Sequence, residues 1–311
     1  MRLPYASPEG HGARGDHSLG ESSSPAEALD LHPAEQSQAR AEIRLLQARL
    51  ERASEHFQAF GDIWNAYLAR RPHHVRLSDE PDGSISGRLQ RDEDMPVELS
   101  VLLGEYLYEL RAALDNCLYA VAVITSGQNP PPNAERLEWP IRASRREWTN
   151  QVGRYRALPD VVVEALEAIQ PYQAEFPTWN SLALLHDLAR FDRHRTPKLL
   201  ALYLVVFRMK YDPDVVTVLH TAEEGVIQPG SALATVRLAD GHSLMPEVFD
   251  LDVEFDVDVE DVATAYGPAG RHGRPWGSLA NRLRATHKAV VEYCNGLLSI
   301  ATDYAEHGSE V

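Results

Sequence analysis

The chain has 311 residues, 44% of them hydrophobic, with 46 acidic against 30 basic side chains for a formal charge of −16. That length can bury one large core or two ordinary ones. The acidic balance argues against a whole-surface binder of nucleic acid or anionic membrane, which needs a basic footprint. No apolar run approaches the ~20 residues needed to cross a bilayer, so no membrane partner is expected.

Residues 1–33 are rich in Gly, Ser, Pro, His and charge and poor in large apolar side chains. They are expected to form a disordered tail, followed by a single α+β domain over 34–311. No apolar stretch follows Arg2, so a secretory signal is not expected. The two cysteines, Cys117 and Cys294, each fall in a predicted helix and lack a close-spaced partner. Reduced, buried thiols in a cytoplasmic protein are the expectation.

From 34 to 71 the apolar positions Ile43, Leu46, Leu50, Ala53, Phe57, Phe60, Trp64 and Tyr67 form a long helical stripe that Pro72 stops. Residues 73–94 alternate apolar and polar side chains around the turn Pro81-Asp82-Gly83, which predicts a β-hairpin. The most strongly periodic segment, 96–126, carries Leu103, Leu107, Leu110, Leu114, Leu118 and Val121 at spacings of three and four. It is the expected central helix, a hairpin partner for the first one. A loop over 127–137 leads to a short extended segment at Trp139-Pro140-Ile141, since proline biases its predecessor away from helical angles. Two short helices follow, one capped by Ser144 and one opening at Pro159.

A helix is expected over about 179–195, a β insertion over about 198–260 and a last helix over about 278–304. Within the insertion, 199–209, 215–221, 233–238 and 249–259 read as strands of one antiparallel sheet. The last of them alternates five acidic residues with Leu251, Val253, Phe255 and Val257, the pattern of a half-buried strand with a charged outer face. The simplest assembly of these elements is α+β: a four-helix bundle carrying a small inserted antiparallel sheet and a β-hairpin.

Four motifs carry a resemblance. Gly104-Glu105 and Leu110-Arg111-Ala112-Ala113-Leu114-Asp115-Asn116 resemble the GD-x-LHNLR-S-ALDHL helix of a widespread, largely uncharacterised bacterial family. Trp139-Pro140-Ile141 resembles its FPI segment, Ile169-Gln170-Pro171-Tyr172 its LQPY turn, and Asp192-Arg193-His194-Arg195 its DKHR element, all in the family's order. The first motif also resembles the Arg-x-x-x-x-His pattern of the HEPN superfamily. That likeness implies a HEPN-like four-helix bundle, a homodimer, and contact with RNA or nucleotide. In active members Arg and His from two protomers meet and cleave RNA, His moving a proton and Arg stabilising the phosphorane. In this chain the His position holds Asn116, whose amide exchanges no proton near neutral pH.

Several readings of these residues stay open. Arg111 and Asp115 suit an i,i+4 salt bridge at the edge of the core, or a phosphate-binding arginine held by a carboxylate. Asn116 suits a structural amide. Asp192, Arg193, His194 and Arg195 suit a solvated helix end, where cations complement the dipole. Alternatively, His194 is the acid or base beside Arg190, Arg193 and Arg195 as phosphate ligands. His186 and His194 share a face with Arg190 between them, which disfavours zinc, and neither metal nor cofactor is expected. Three functions follow. The first is a catalytically degenerate HEPN-like binding module. The others are a metal-independent ribonuclease using His194 and Arg111, and a structural or regulatory protein.

Overall fold

The computed structural model describes residues 36–192, 200–245, 248–259, 265–266, 272–273 and 277–308, with backbone only at 36–38, 190–192, 265–266 and 272–273. In chain order the elements are α1 (Gln36–Ala69), β1 (His73–Asp79), β2 (Ile85–Arg91), α2 (Val97–Ser126), α3 (Arg145–Gln151) and α4 (Asp160–Ala168). Then come α5 (Ser181–Asp192), β3 (Leu200–Tyr211), β4 (Val216–Thr221), β5 (Gly225–Ile227), β6 (Ala232–Leu238), β7 (Phe249–Val259), β8 (Ala265–Tyr266), β9 (His272–Gly273) and α6 (Leu279–His307). The chain divides into two compact units. One draws on 21–61, 100–198 and 263–311; the other includes 62–99 and 199–262. No helix among the described residues is long and apolar enough to cross a membrane.

In the helical unit α2 is the centre, and its burial is wider than the predicted stripe. Tyr106, Ala113, Ala120, Ala122 and Val123 are buried along with Leu103, Leu107, Leu110, Leu114, Leu118 and Val121. Small residues on the second face let neighbours approach closely. The first part of α1 runs antiparallel to α2: Arg49 pairs with Glu109 at 2.8 Å and His56 with Glu105 at 3.3 Å. By contrast α6 runs parallel to α2. The Tyr106 hydroxyl donates to the Leu283 carbonyl at 2.7 Å, and eleven residues further along both helices the Cys117 thiol points at the Cys294 carbonyl, 3.7 Å away. Both thiols are buried and free, and burial raises the Cys117 pKa well above the ordinary thiol value.

The second unit is built of two antiparallel sheets, with strand orders β1-β2-β6-β4 and β5-β3-β7. Val216, Ala234, Val236 and Phe249 are buried together, with Ile85, Phe207, Met209 and Leu251 against them, so both sheets contribute to one core. Gly87 marks a close approach. A Cβ there would lie 3.2 Å from Val75 Cγ1 on β1 and 3.4 Å from Leu251 Cδ1 on β7, so the position sits in close side-chain packing.

The expected four-helix bundle with a small side sheet is therefore corrected. Six α-helices and a four-stranded plus a three-stranded sheet are present among the described residues. The hairpin β1–β2 is no separate excursion, because β2 lends its outer edge to β6, with Ile85 opposite Val236 and Ser86 opposite Thr235. Pairing closes an otherwise open edge across about 150 residues of chain, and period-2 patterning carries no information about partner choice. The long acidic strand also departs from strict alternation. Asp250 and Asp252 are exposed, but Val257, Asp258 and Val259 are all buried, with Asp258 Oδ1 accepting from the Val259 N–H at 2.7 Å.

Candidate functional site

Three of the four motifs meet in the helical unit, around a stretch that has no regular secondary structure. Glu138 to Arg142 lies in no helix or sheet, and Ala143 forms a bend. Trp139 is fully buried and Ile141 nearly so, and the stretch is anchored at both ends of the motif set. A buried backbone without ladder partners must find its hydrogen bonds elsewhere, and here side chains supply them.

The Asp115 carboxylate, on α2, accepts from the Trp139 N–H at 2.8 Å. One turn earlier, Arg111 NH2 reaches the Trp139 carbonyl at 3.5 Å and the Glu138 carboxylate at 3.8 Å. The Tyr155 hydroxyl donates to the Glu138 carbonyl at 2.8 Å, and its ring stacks on Trp148 with centroids 6.0 Å apart. Burial raises the Tyr155 pKa and keeps it a donor. Pro140 has no N–H to satisfy. Gln170, 1% exposed, donates through Nε2 to the Pro140 carbonyl at 3.2 Å and to the Leu166 carbonyl at 2.7 Å. Its Oε1 accepts from the Arg142 N–H at 2.9 Å. Glu147 Oε2 takes the Ala143 N–H at 3.0 Å, and the same residue's N–H is capped by Ser144.

Gln170 thus plays the part of a neighbouring strand, offering one donor and one acceptor to residues two apart. Arg111 and Asp115 form the opposite wall. Arg111 is 6% exposed and faces the backbone of Trp139. Asn116 lies beside them half-buried, its Nδ2 shielded and without a hydrogen-bond partner among the described residues.

Among the remaining predicted site residues, Arg190 and Asp192 belong to α5 with only their backbone described, and Arg193, His194 and Arg195 lie outside the described residues. The structure therefore brings Arg111 and Asp115 to the backbone of Trp139, with Gln170 bonded to the neighbouring Pro140 and Arg142, and Asn116 follows Asp115 on α2. Sequence reasoning gave no role to Gln170, Tyr155 or Glu138. The available signal was Pro140 inside a short extended segment, which left several backbone groups in need of partners. Comparison with protein-family models, curated proteins and solved structures finds no match.

Proposed function

We propose that this chain is a catalytically silent binding module whose α2 motif maintains architecture rather than chemistry. The observation that carries the reading is the use made of Arg111 and Asp115. Asp115 accepts the Trp139 N–H and Arg111 lies against the Trp139 carbonyl and the Glu138 carboxylate, in a buried site. An arginine that stabilises a phosphorane must present its guanidinium to an incoming phosphate; this one is turned to the chain's own backbone. Asn116 adds an amide where a proton carrier would be needed.

RNA is the proposed ligand, and the support is sequence: Arg190, Arg193 and Arg195 stand close together in an otherwise acidic chain. The homodimer implied by the resemblance and the cytoplasmic setting expected from the two unpaired cysteines belong to the same proposal.

The test is a labelled single-stranded RNA incubated with the wild-type chain, with Arg111→Ala, with His194→Ala, and with a triple Arg190→Glu, Arg193→Glu, Arg195→Glu variant. The expected result is retention without cleavage, weakening as salt rises and lost in the triple variant. Cleavage that disappears in both Arg111→Ala and His194→Ala would make the protein a ribonuclease and end the reading.

A further inference from the structure

The β unit contains a partly open cavity of about 190 Å³. Its walls are mostly apolar: Leu89 on β2, Leu200 and Leu202 on β3, Ile227 on β5, and Met95 and Pro229 from connecting segments. Three polar residues interrupt that lining, His73, Arg91 and Gln228. The first two are no accident of the loops. His73 stands directly opposite Arg91 in the β1–β2 register, so their side chains leave the ladder on the same side.

His73 is held in a defined state. It is 6% exposed, between the rings of Tyr67 and Phe255 at 5.6 and 5.7 Å. Burial first, and the Arg91 charge second, pull its pKa down to about 4, so the imidazole is neutral at pH 7. The Tyr67 hydroxyl donates to the Glu93 carbonyl at 2.9 Å, which leaves its oxygen to accept from His73 Nε2 at 3.3 Å. The proton therefore sits on Nε2, and Nδ1 is an acceptor with no donor among the described residues. Arg91 spends NH2 on Asp94 Oδ1 at 2.8 Å, and that carboxylate is 92% exposed. The guanidinium has five N–H groups in a planar fork, and its other nitrogens make no hydrogen bond within the described chain. The Arg91 side chain is 31% exposed, which places it at the mouth, not in the depth.

We infer that this cavity binds a short apolar carboxylate, its hydrocarbon end among Leu89, Leu202 and Ile227 and its carboxylate on the Arg91 guanidinium. A fixed cation is what an anion needs on a protein of formal charge −16. An apolar chamber with a single arginine at the entrance is the minimal arrangement for a molecule that is greasy at one end and anionic at the other. This site lies wholly within the β unit and is independent of the RNA reading, which concerns Arg190, Arg193 and Arg195.

The test uses isovalerate as probe, with isovaleramide and isopentylamine as isosteric neutral and cationic controls, followed by ligand-observed NMR and thermal shift on the full chain. Isovalerate is expected to bind saturably in the millimolar range, as a ligand of so few heavy atoms should. Both controls bind at least about tenfold more weakly, since each lacks the charge-assisted pair. Arg91→Gln loses at least about tenfold. Met95→Trp, which fills the cavity from its wall, abolishes binding, and both variants keep wild-type circular dichroism and RNA retention. Three outcomes each overturn the inference: no saturable isovalerate binding up to about 50 mM, amide binding as tight as acid, or Arg91→Gln binding as tight as wild type.

Discussion

His73 shows how much one side chain is shaped by its neighbours. As a free side chain it would titrate near 6.5; in the folded chain burial and Arg91 hold it near 4. Between those values the unfolded chain binds the proton and the folded chain does not, so stability rises with pH across that window. The contribution is complete above about 6.5 and is lost as pH falls through about 4. With some solvent reaching the site, about 1–2 kcal/mol is expected. The unfolding free energy from urea titration should fall between pH 7 and pH 4.5 by that much more in the wild type than in His73→Gln. The neighbouring groups Arg91, His74, Asp92 and Tyr67 are unchanged in that variant, so they cancel in the comparison.

At the scale of elements, the segment from Glu138 to Ala143 is the informative one. It has no regular secondary structure, and its backbone is bonded by side chains of Asp115, Arg111, Tyr155, Gln170 and Glu147. Removing an acceptor from a buried N–H costs the desolvation of that group, about 1–3 kcal/mol. Asp115→Ala should therefore lower stability by that amount in urea, with Trp139 fluorescence shifting as the indole loses its anchored backbone. Asp115→Asn keeps an amide oxygen for the same N–H and should recover most of the loss. If Asp115→Ala instead left stability untouched, the architectural role of the motif would be wrong. The short helices α3 and α4 and their proline and serine boundaries were legible from local chemistry, because capping is local: Ser144 accepts the Glu147 N–H as its position predicts. The partners of 138–143 were not legible, because they come from three separate stretches of chain.

For the whole molecule, the interleaving of the two units matters most. The helical unit takes residues from the first part of α1, from 100–198 and from α6, so no contiguous piece contains its core. α2 is buried on more than one side, and α6 supplies the parallel neighbour that Tyr106 and Cys117 contact. A fragment of residues 100–198 should therefore be partly helical by circular dichroism and melt without a cooperative transition, whereas the full chain melts cooperatively. A cooperative melt of the fragment would show that α2 to α5 form a core of their own.

Local patterning determined the elements themselves. The stripe on 34–71, the periodicity on 96–126 and the alternation on 249–259 became α1, α2 and β7 with boundaries displaced by only a few residues. It also determined that Arg111 and Asp115 stand out beside the apolar stripe of α2. Only the tertiary structure decided that β2 pairs with β6, that β3 and β7 form a second sheet, that α6 runs parallel to α2, and that Arg111 and Asp115 face the Trp139 backbone. The physical reason is one of range. Helix and strand periods arise between residues a few positions apart, while edge pairing and side-chain-to-backbone bonding join residues of any separation. A polar residue on an apolar helix looks the same in sequence whether it meets a phosphate or the chain's own peptide groups.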